Sequence, residues 1–492
     1  MSAGTGGDGR FLQALRRIVG PASVLHEREE LIVYDSDGST MHAARPAAVA
    51  LPTDVDQVQA VVRACREHDR PFVARGAGTG LSGGALALEG GLILALNRLD
   101  RLHSIDPVDR LASCEPGVRN LAVSEAAAAH GLFYAPDPSS QSVCTLGGNV
   151  AHNSGGPHTL AYGVTTNHVR GLQLITPEGE RVEVGGADRP GYDLTGLLVG
   201  SEGTLGVVTR VDVNLVPRPE GVRTALAAFP DIETASGAVS AMVAAGLVPA
   251  ALEMLDAQVV EALAAAFGFT FPPDAGALLL VETDGPLPGL DAEATAAADL
   301  CRAHGALDVT LAADDTERAR IWKARKLAFG ALGRISANYY TQDGVIPRSR
   351  LPEMLRHVRE VAARSGFRIA NVFHAGDGNL HPCILFDQDD EETRARAYAA
   401  GGEILRHCVA LGGSLTGEHG VGVEKREWMG LLFDPADLAL MARLRDAFDP
   451  HRRCNPGKVL PLGQGCGEAR GGREEAVATS PPSLDVGRRG AS

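Results

Sequence analysis

Apolar and polar positions follow two rhythms along this chain. The first covers residues 10–220. Helical spacing comes first there: the apolar positions of FLQALRRIV (11–19) and VDQVQAVVRACREH (55–68) fall on one helix face. A short strand, Pro71–Arg75, then runs into a glycine-dense loop, with Ala85–Gly91 after it suited to strand and turn. Strand-like runs follow at 91–96, 169–176 and 205–216, separated by Gly, Pro and Asp turns. Pro217-Arg218-Pro219 marks a break. From about 221 strands and helices alternate. TALAAF (224–229) precedes a helical pattern at 232–246, and GALLLVETD (276–284) precedes one at 290–305. That alternation predicts an antiparallel sheet backed by helices. After 400 the pattern is mostly helical until Asn455-Pro456-Gly457. Residues 1–9 and 463–492 carry few apolar positions and read as tails.

Composition narrows the classes. A chain of 492 residues with 45% apolar and 22% charged residues suits a soluble protein of two or three domains. The formal charge of -15 argues against nucleic acid or an anionic membrane as the main partner. The eight cysteines are scattered with no C-x-x-C pair or cluster-binding run, which suits reduced thiols. Without an apolar run of ~18–20 residues or a visible signal segment, the expected location is the cytoplasm.

The 59 glycines concentrate in blocks that carry chemistry. Gly78, Gly80 and Gly83 form a literal G-x-G-x-x-G. The fingerprint needs a helix starting in the motif, whereas Ala85–Gly91 suits a strand and turn, so a nicotinamide-type reading is disfavoured. Three more blocks follow: Asp137–Gly156, Tyr162–Val169 and Gly200–Gly206. Four backbone-rich loops in one region suit a long extended ligand better than a single phosphate. They resemble the FAD-binding domain of the vanillyl-alcohol oxidase / p-cresol methylhydroxylase family. The resemblance implies that Arg75, Gly76, Ala77, Gly78, Thr79, Gly80 and Ser82 wrap the FAD pyrophosphate. It places Pro138, Ser139, Thr145, Gly148, Asn149, Asn153 and Gly155 along the flavin and ribityl chain, and Glu202, Gly203, Gly206 and Val207 near the adenine. Members that attach FAD covalently through the first loop have a His there; none stands in this one, so FAD is expected to be non-covalent.

A second constellation lies in the C-terminal half. His374-Ala-Gly-Asp-Gly-Asn-Leu-His381 can turn two imidazoles onto one ion, and Gly417-Glu418-His419-Gly420 adds a carboxylate. A His pair alone is more often structural than ligating. Three such donors with open positions suit a divalent metal site. Together the blocks resemble the FAD-linked 2-hydroxy-acid dehydrogenases, which include glycolate oxidase FAD-linked subunits, D-lactate dehydrogenases and D-2-hydroxyglutarate dehydrogenases. By that resemblance, over roughly residues 20–460, His374, His381 and Glu418 hold a divalent metal (Zn or Mn) and His419 is the catalytic base. Arg325, three positions after Trp322 on a helix capped by Asp314 or Asp315, grips the substrate carboxylate. Asn379 and Asn455 touch the flavin edge. Phe329, Thr341 and Cys383 stand where the 2-hydroxyglutarate members carry Thr, Lys and Asn, which favours a monocarboxylate over a diacid.

The expected fold is α+β. A two-subdomain FAD-binding domain of the p-cresol methylhydroxylase type covers 20–220, after a tail and first helix at 1–19. A ferredoxin-like antiparallel-sheet cap with the metal site covers 221–425. C-terminal helices at 426–462 return to the flavin, and a tail closes the chain. The expected reaction oxidises a small (R)-2-hydroxy acid, glycolate or D-lactate, with hydride passing to flavin N5 and a proton to neutral His419. A second flavin-binding subunit and an iron–sulfur subunit are the partners implied, with membrane association only through them. D-2-hydroxyglutarate oxidation, ether-phosphate synthesis on the same fold, a non-catalytic FAD-carrying subunit, and metal-dependent hydrolysis remain open; the last leaves the four glycine blocks without a purpose.

Overall fold

A computed structural model describes residues 5–462 apart from 40, 88–89, 187–190 and 388–389. Its N-terminal half holds two small sheets. The first, in the order Val24–Leu25, Ala48–Ala50, Leu92–Ala95, Phe72–Arg75, is parallel except at its first strand. The helix Val55–Glu67 covers it. Asp54 starts this helix by accepting the Gln57 N–H, and Val58, Val61, Val62 and Cys65 form its buried stripe. Each such side chain contributes about 1.5–3 kcal/mol on burial. The second sheet is antiparallel, in the order Leu102–Asp106, Leu111–Cys114, Val207–Asn214, Val169–Ile175, Arg181–Gly185. Alternating burial along Val207–Asn214 matches a sheet with one packed face.

Beyond Gly221 a larger antiparallel sheet begins. Helices Ile232–Ala244, Leu287–Ala303, Leu351–Ser365 and Glu391–Ala410 pack into one core, and Ala257–Phe267 and Asp315–Ile335 into another. Because both faces are covered, Ala277–Thr283 reads as a continuous apolar run broken only by Glu282 and Thr283, with every residue buried. Neighbouring strands Ala251–Asp256 and Arg368–His374 set Glu253 opposite His374. That register is what brings the two to one place.

The chain then returns to the N-terminal half. Cys454 bridges to Phe72, and Asn455 donates Nδ2 to the carbonyls of Gly84 and Glu202.

Three expectations change. The first helix starts at Thr5, inside the expected tail, with Asp8 complementing its N-terminal dipole; the rest of both tails lies outside the described residues. Gly84–Ala87 forms turn and irregular backbone instead of a strand. Its carbonyls at Gly84 and Leu86 are taken by Asn455 and Lys458 side chains, leaving no ladder to join. Residues 411–425 are irregular, between Glu391–Ala410 and Pro435–Phe448, because glycines interrupt them and a buried carboxylate dictates their path.

Candidate functional site

One cavity of about 310 Å³ joins the two halves. Its N-terminal wall comes from three of the four glycine blocks: Gly76–Gly80, Pro138, Ser139, Thr145, Gly148, Asn149, Glu202, Gly203 and Gly206 line it, whereas the block Tyr162–Val169 does not reach it. Glycine, alanine and serine make up much of this wall, with apolar Leu96, Leu174 and Leu198 between. That lining fits a long cofactor with phosphates at one end and a flat apolar ring at the other. Thr145 caps the helix Leu146–His152 by accepting the Gly148 N–H, which fixes that part of the wall.

Several expected cofactor residues sit behind the wall. Arg75 turns away, donating Nη2 to the Ser36 carbonyl at 2.7 Å and lying over the Tyr34 ring. Ser82 donates to the His419 carbonyl at 3.0 Å. Asn153, in the left-handed region, accepts the Thr166 N–H. Gly155 faces Thr159, and Val207 is core. Asn455 and Asn379 are buried beside the wall instead of in it. Glu202 lines the cavity, but its carboxylate also accepts the N–H groups of Val421 and Gly422 at 2.6 and 2.8 Å.

The opposite end is built from side chains: Phe329, Tyr339, Thr341, His381, Glu418 and His419. His374 ends one strand and His381 follows the next, across a turn where Asp377 accepts the Asn379 N–H at 3.0 Å. Gly378 has φ +79, and a Cβ there would meet the Ile346 carbonyl at 2.2 Å, so only glycine lets the hairpin close. Glu418 lies on the irregular loop, which presses against the first glycine block so closely that a Cβ at Gly422 would sit 2.0 Å from the Ser82 carbonyl.

The geometry converges. His374 Nε2 and His381 Nε2 each lie 3.4 Å from Glu418 Oε1, and neither nitrogen has a hydrogen-bond partner. Two buried nitrogens aimed at one carboxylate fit a divalent ion. His374 Nδ1 lies 2.6 Å from Glu253 Oε1, a contact that orients the ring. Burial opposes charge on this imidazole, but Glu253 and Glu418 outweigh burial and raise its pKa well above the ordinary value. Burial opposes charge on Glu418, yet His374, His381 and His419 outweigh it and lower its pKa to about 2. Burial pulls His419 down to about 4, so this imidazole is neutral near pH 7. Its ring stacks on that of His381 with centroids 4.8 Å apart.

Arg325 is 3% exposed and does not line the cavity. It donates Nε to Glu253 at 2.5 Å, and its Nη2 has no partner. Glu253 therefore touches both a candidate metal ligand and the candidate carboxylate grip. Cys383 lies behind Thr341, 3.5 Å from its hydroxyl.

Sequence reasoning passed over Glu253, Asp343 and Tyr339. Glu253 carried one signal, an acid within the apolar strand ALEMLD. Asp343 carried a weaker one, an acid between two short strands. His152 and Ser140, which also line the cavity, stood inside blocks already singled out.

Comparison with known proteins gives concordant results. Residues 46–185 match the FAD binding domain family, and residues 218–459 match FAD linked oxidases, C-terminal domain. The glycolate oxidase subunit GlcD of Escherichia coli (strain K12) is 45% identical over 93% of this chain and 92% of its own length. The GlcD subunit of Bacillus subtilis (strain 168) is 37% identical over 91% and 96%. A D-lactate dehydrogenase of Anaerostipes hadrus is 30% identical over 85% and 90%. Among solved structures, p-cresol methylhydroxylase with substrate bound superposes with a TM-score of 0.79 at 19% identity, over 93% of this chain and 98% of that one. That likeness concerns the fold.

Proposed function

The chain belongs to the FAD-linked oxidases, and on that premise we propose that it oxidises a small (R)-2-hydroxy monocarboxylate, glycolate or D-lactate, to the 2-oxo acid. The observation that carries this reading is the single cavity running from the glycine wall to Glu418, His381 and His419. FAD, when bound non-covalently along the glycine wall, supplies the hydride acceptor. A divalent ion (Zn or Mn), when held by His374, His381 and Glu418, supplies Lewis acidity at the substrate hydroxyl.

The chain's own residues do the rest. Neutral His419, stacked on His381 beside Glu418, is placed to accept the hydroxyl proton. Arg325 stands outside the cavity lining, so its unpartnered Nη2 would grip the substrate carboxylate only after the side chain shifts inward, a charge-assisted bond then worth about 1.5–3 kcal/mol. Phe329, Tyr339 and Thr341 close the far side with two aromatic rings and a hydroxyl, and among the described lining residues there is no Lys or Arg to hold a second carboxylate. The names of the relatives, subunits of a glycolate oxidase, support companion chains as electron acceptors. A second flavin-binding subunit and an iron–sulfur subunit are the companions proposed. No described helix is long and apolar enough to cross a membrane, so any membrane contact is assigned to those partners, and the chain itself to the cytoplasm.

Incubation with each acid and a dye acceptor, followed by identification of the keto product, tests the reading. Glyoxylate from glycolate or pyruvate from D-lactate is expected. Dye reduction with L-lactate alone contradicts it.

A further inference from the structure

The loop that carries Glu418 and His419 has no helix or strand to shape it. Three consecutive backbone donors in it nonetheless share one acceptor. Asp343, fully buried between the strands Asn338–Thr341 and Gly344–Val345, takes the N–H groups of Gly417, Glu418 and His419 on Oδ2 at 3.1, 3.3 and 2.9 Å. The same oxygen accepts the Thr416 hydroxyl and the Lys425 ammonium, the latter at 3.1 Å. Thr416 in turn accepts the Gly420 N–H at 2.9 Å, which closes the loop on itself. A buried carboxylate is costly unless it is paired and hydrogen-bonded, and here the loop's own backbone supplies the bonds.

Asp343 also belongs to a group with His381 and His419 that has the spacing of a metal site. Its oxygens are already engaged, however, and Oδ1 stays 3.6 Å from His381 Nε2. A carboxylate surrounded by N–H donors and an ammonium organises a loop better than it ligates an ion.

We propose that Asp343 is a positioning residue: it folds the Thr416–Gly420 loop before any ion binds, and so sets Glu418 and His419 in place together. The metal end of the cavity is then preformed by the protein. Asp343→Asn keeps the shape and one acceptor oxygen but removes the negative charge on which the N–H groups and Lys425 converge. Thr416→Val removes two links, the bond to Asp343 and the one from the Gly420 N–H, and serves if Asp343→Asn does not fold, as judged by circular dichroism and bound flavin.

Amide hydrogen exchange of the 416–420 loop, read with and without chelator, tests the claim directly. In the unchanged protein, protection is expected to survive chelation. In Asp343→Asn it is expected to fall sharply, because the charge on which the donors converge is gone, and in Thr416→Val to weaken about tenfold or more, the size of the two hydrogen bonds removed. Kinetics supply the second arm, which rests on the oxidase reading above, whereas the exchange arm does not. Asp343→Asn is expected to lower kcat roughly 10- to 100-fold. Excess metal should restore occupancy without restoring kcat, because His419 stays displaced. Loop protection that disappears on chelation of the unchanged protein overturns the proposal. So does an Asp343→Asn protein with normal protection, or one whose kcat recovers fully with metal. A folded Thr416→Val protein with unchanged exchange does the same.

Discussion

The two ends of the cavity are made differently. The N-terminal wall is built largely from glycine backbone and small side chains, whose identities matter for what they leave out. The opposite end is made of buried charges, each held by another: Glu253 under His374 and Arg325, Asp343 under the Glu418 loop. A backbone wall can accept a large cofactor by shape and yields gradually to change. A buried polar network fails as a unit when one member goes. The difference predicts separable losses, of cofactor at one end and of turnover at the other.

The largest effect is expected from His419→Gln. Its kcat should fall about 10²–10⁴-fold, the range for a general base, while the FAD content of the purified protein stays unchanged. Loss of flavin with the activity would break the division between the two ends. Glu253→Gln comes next. Removing a partner behind a metal-binding imidazole typically costs about 10–100-fold in metal affinity, measurable by competition with a chromophoric chelator. Unaltered affinity would show that the Glu253 contact to His374, 2.6 Å long, orients nothing.

Gly76→Ala probes the other end. A Cβ there would lie 2.1 Å from Thr145 Oγ1, so the wall must shift. Overpacking of this kind costs about 1–3 kcal/mol, read as a weaker FAD dissociation constant. Adding Thr145→Ala removes the clash and should recover part of the affinity; no recovery would mean the glycine is needed for something other than space.

The smallest effect concerns the seam between the halves. His158 reaches Asp137 at 2.7 Å and Glu282 at 3.2 Å, and its ring stacks on Trp322. Burial disfavours its charge, but Asp137 and Glu282 outweigh burial and raise its pKa to about 10. The stabilisation is therefore complete below the ordinary value of 6.5 and is lost as pH climbs toward 10. Urea titrations from pH 6 to 10 should show His158→Gln flattening that decline. An identical decline in both proteins would remove His158 from the seam.

The contrast also explains what the sequence disclosed. Glycine blocks and the His-x₆-His pair are local, so the wall, His374 and His381 could be read from runs of adjacent residues. The apolar periods likewise located most helices, since Val58, Val61, Val62 and Cys65 form a stripe in any context. Glu253 and Asp343 depend on strand register and on a loop more than 70 residues away in the chain. Their neighbours mark them only as acids within or between short strands and say nothing of what they hold. The start of the first helix and the irregular path of 411–425 were misread for the same reason. In the loop, distant acceptors rather than local propensity decide the backbone.

The central claim is that one cavity couples flavin reduction to the His/His/Glu cluster. Anaerobic titration of the flavin absorbance with glycolate, D-lactate, L-lactate and D-2-hydroxyglutarate, with and without chelator, tests it most directly. Bleaching by glycolate or D-lactate that chelator abolishes and added metal restores is the predicted result. Bleaching by none of the four acids, or bleaching indifferent to chelator, would contradict it.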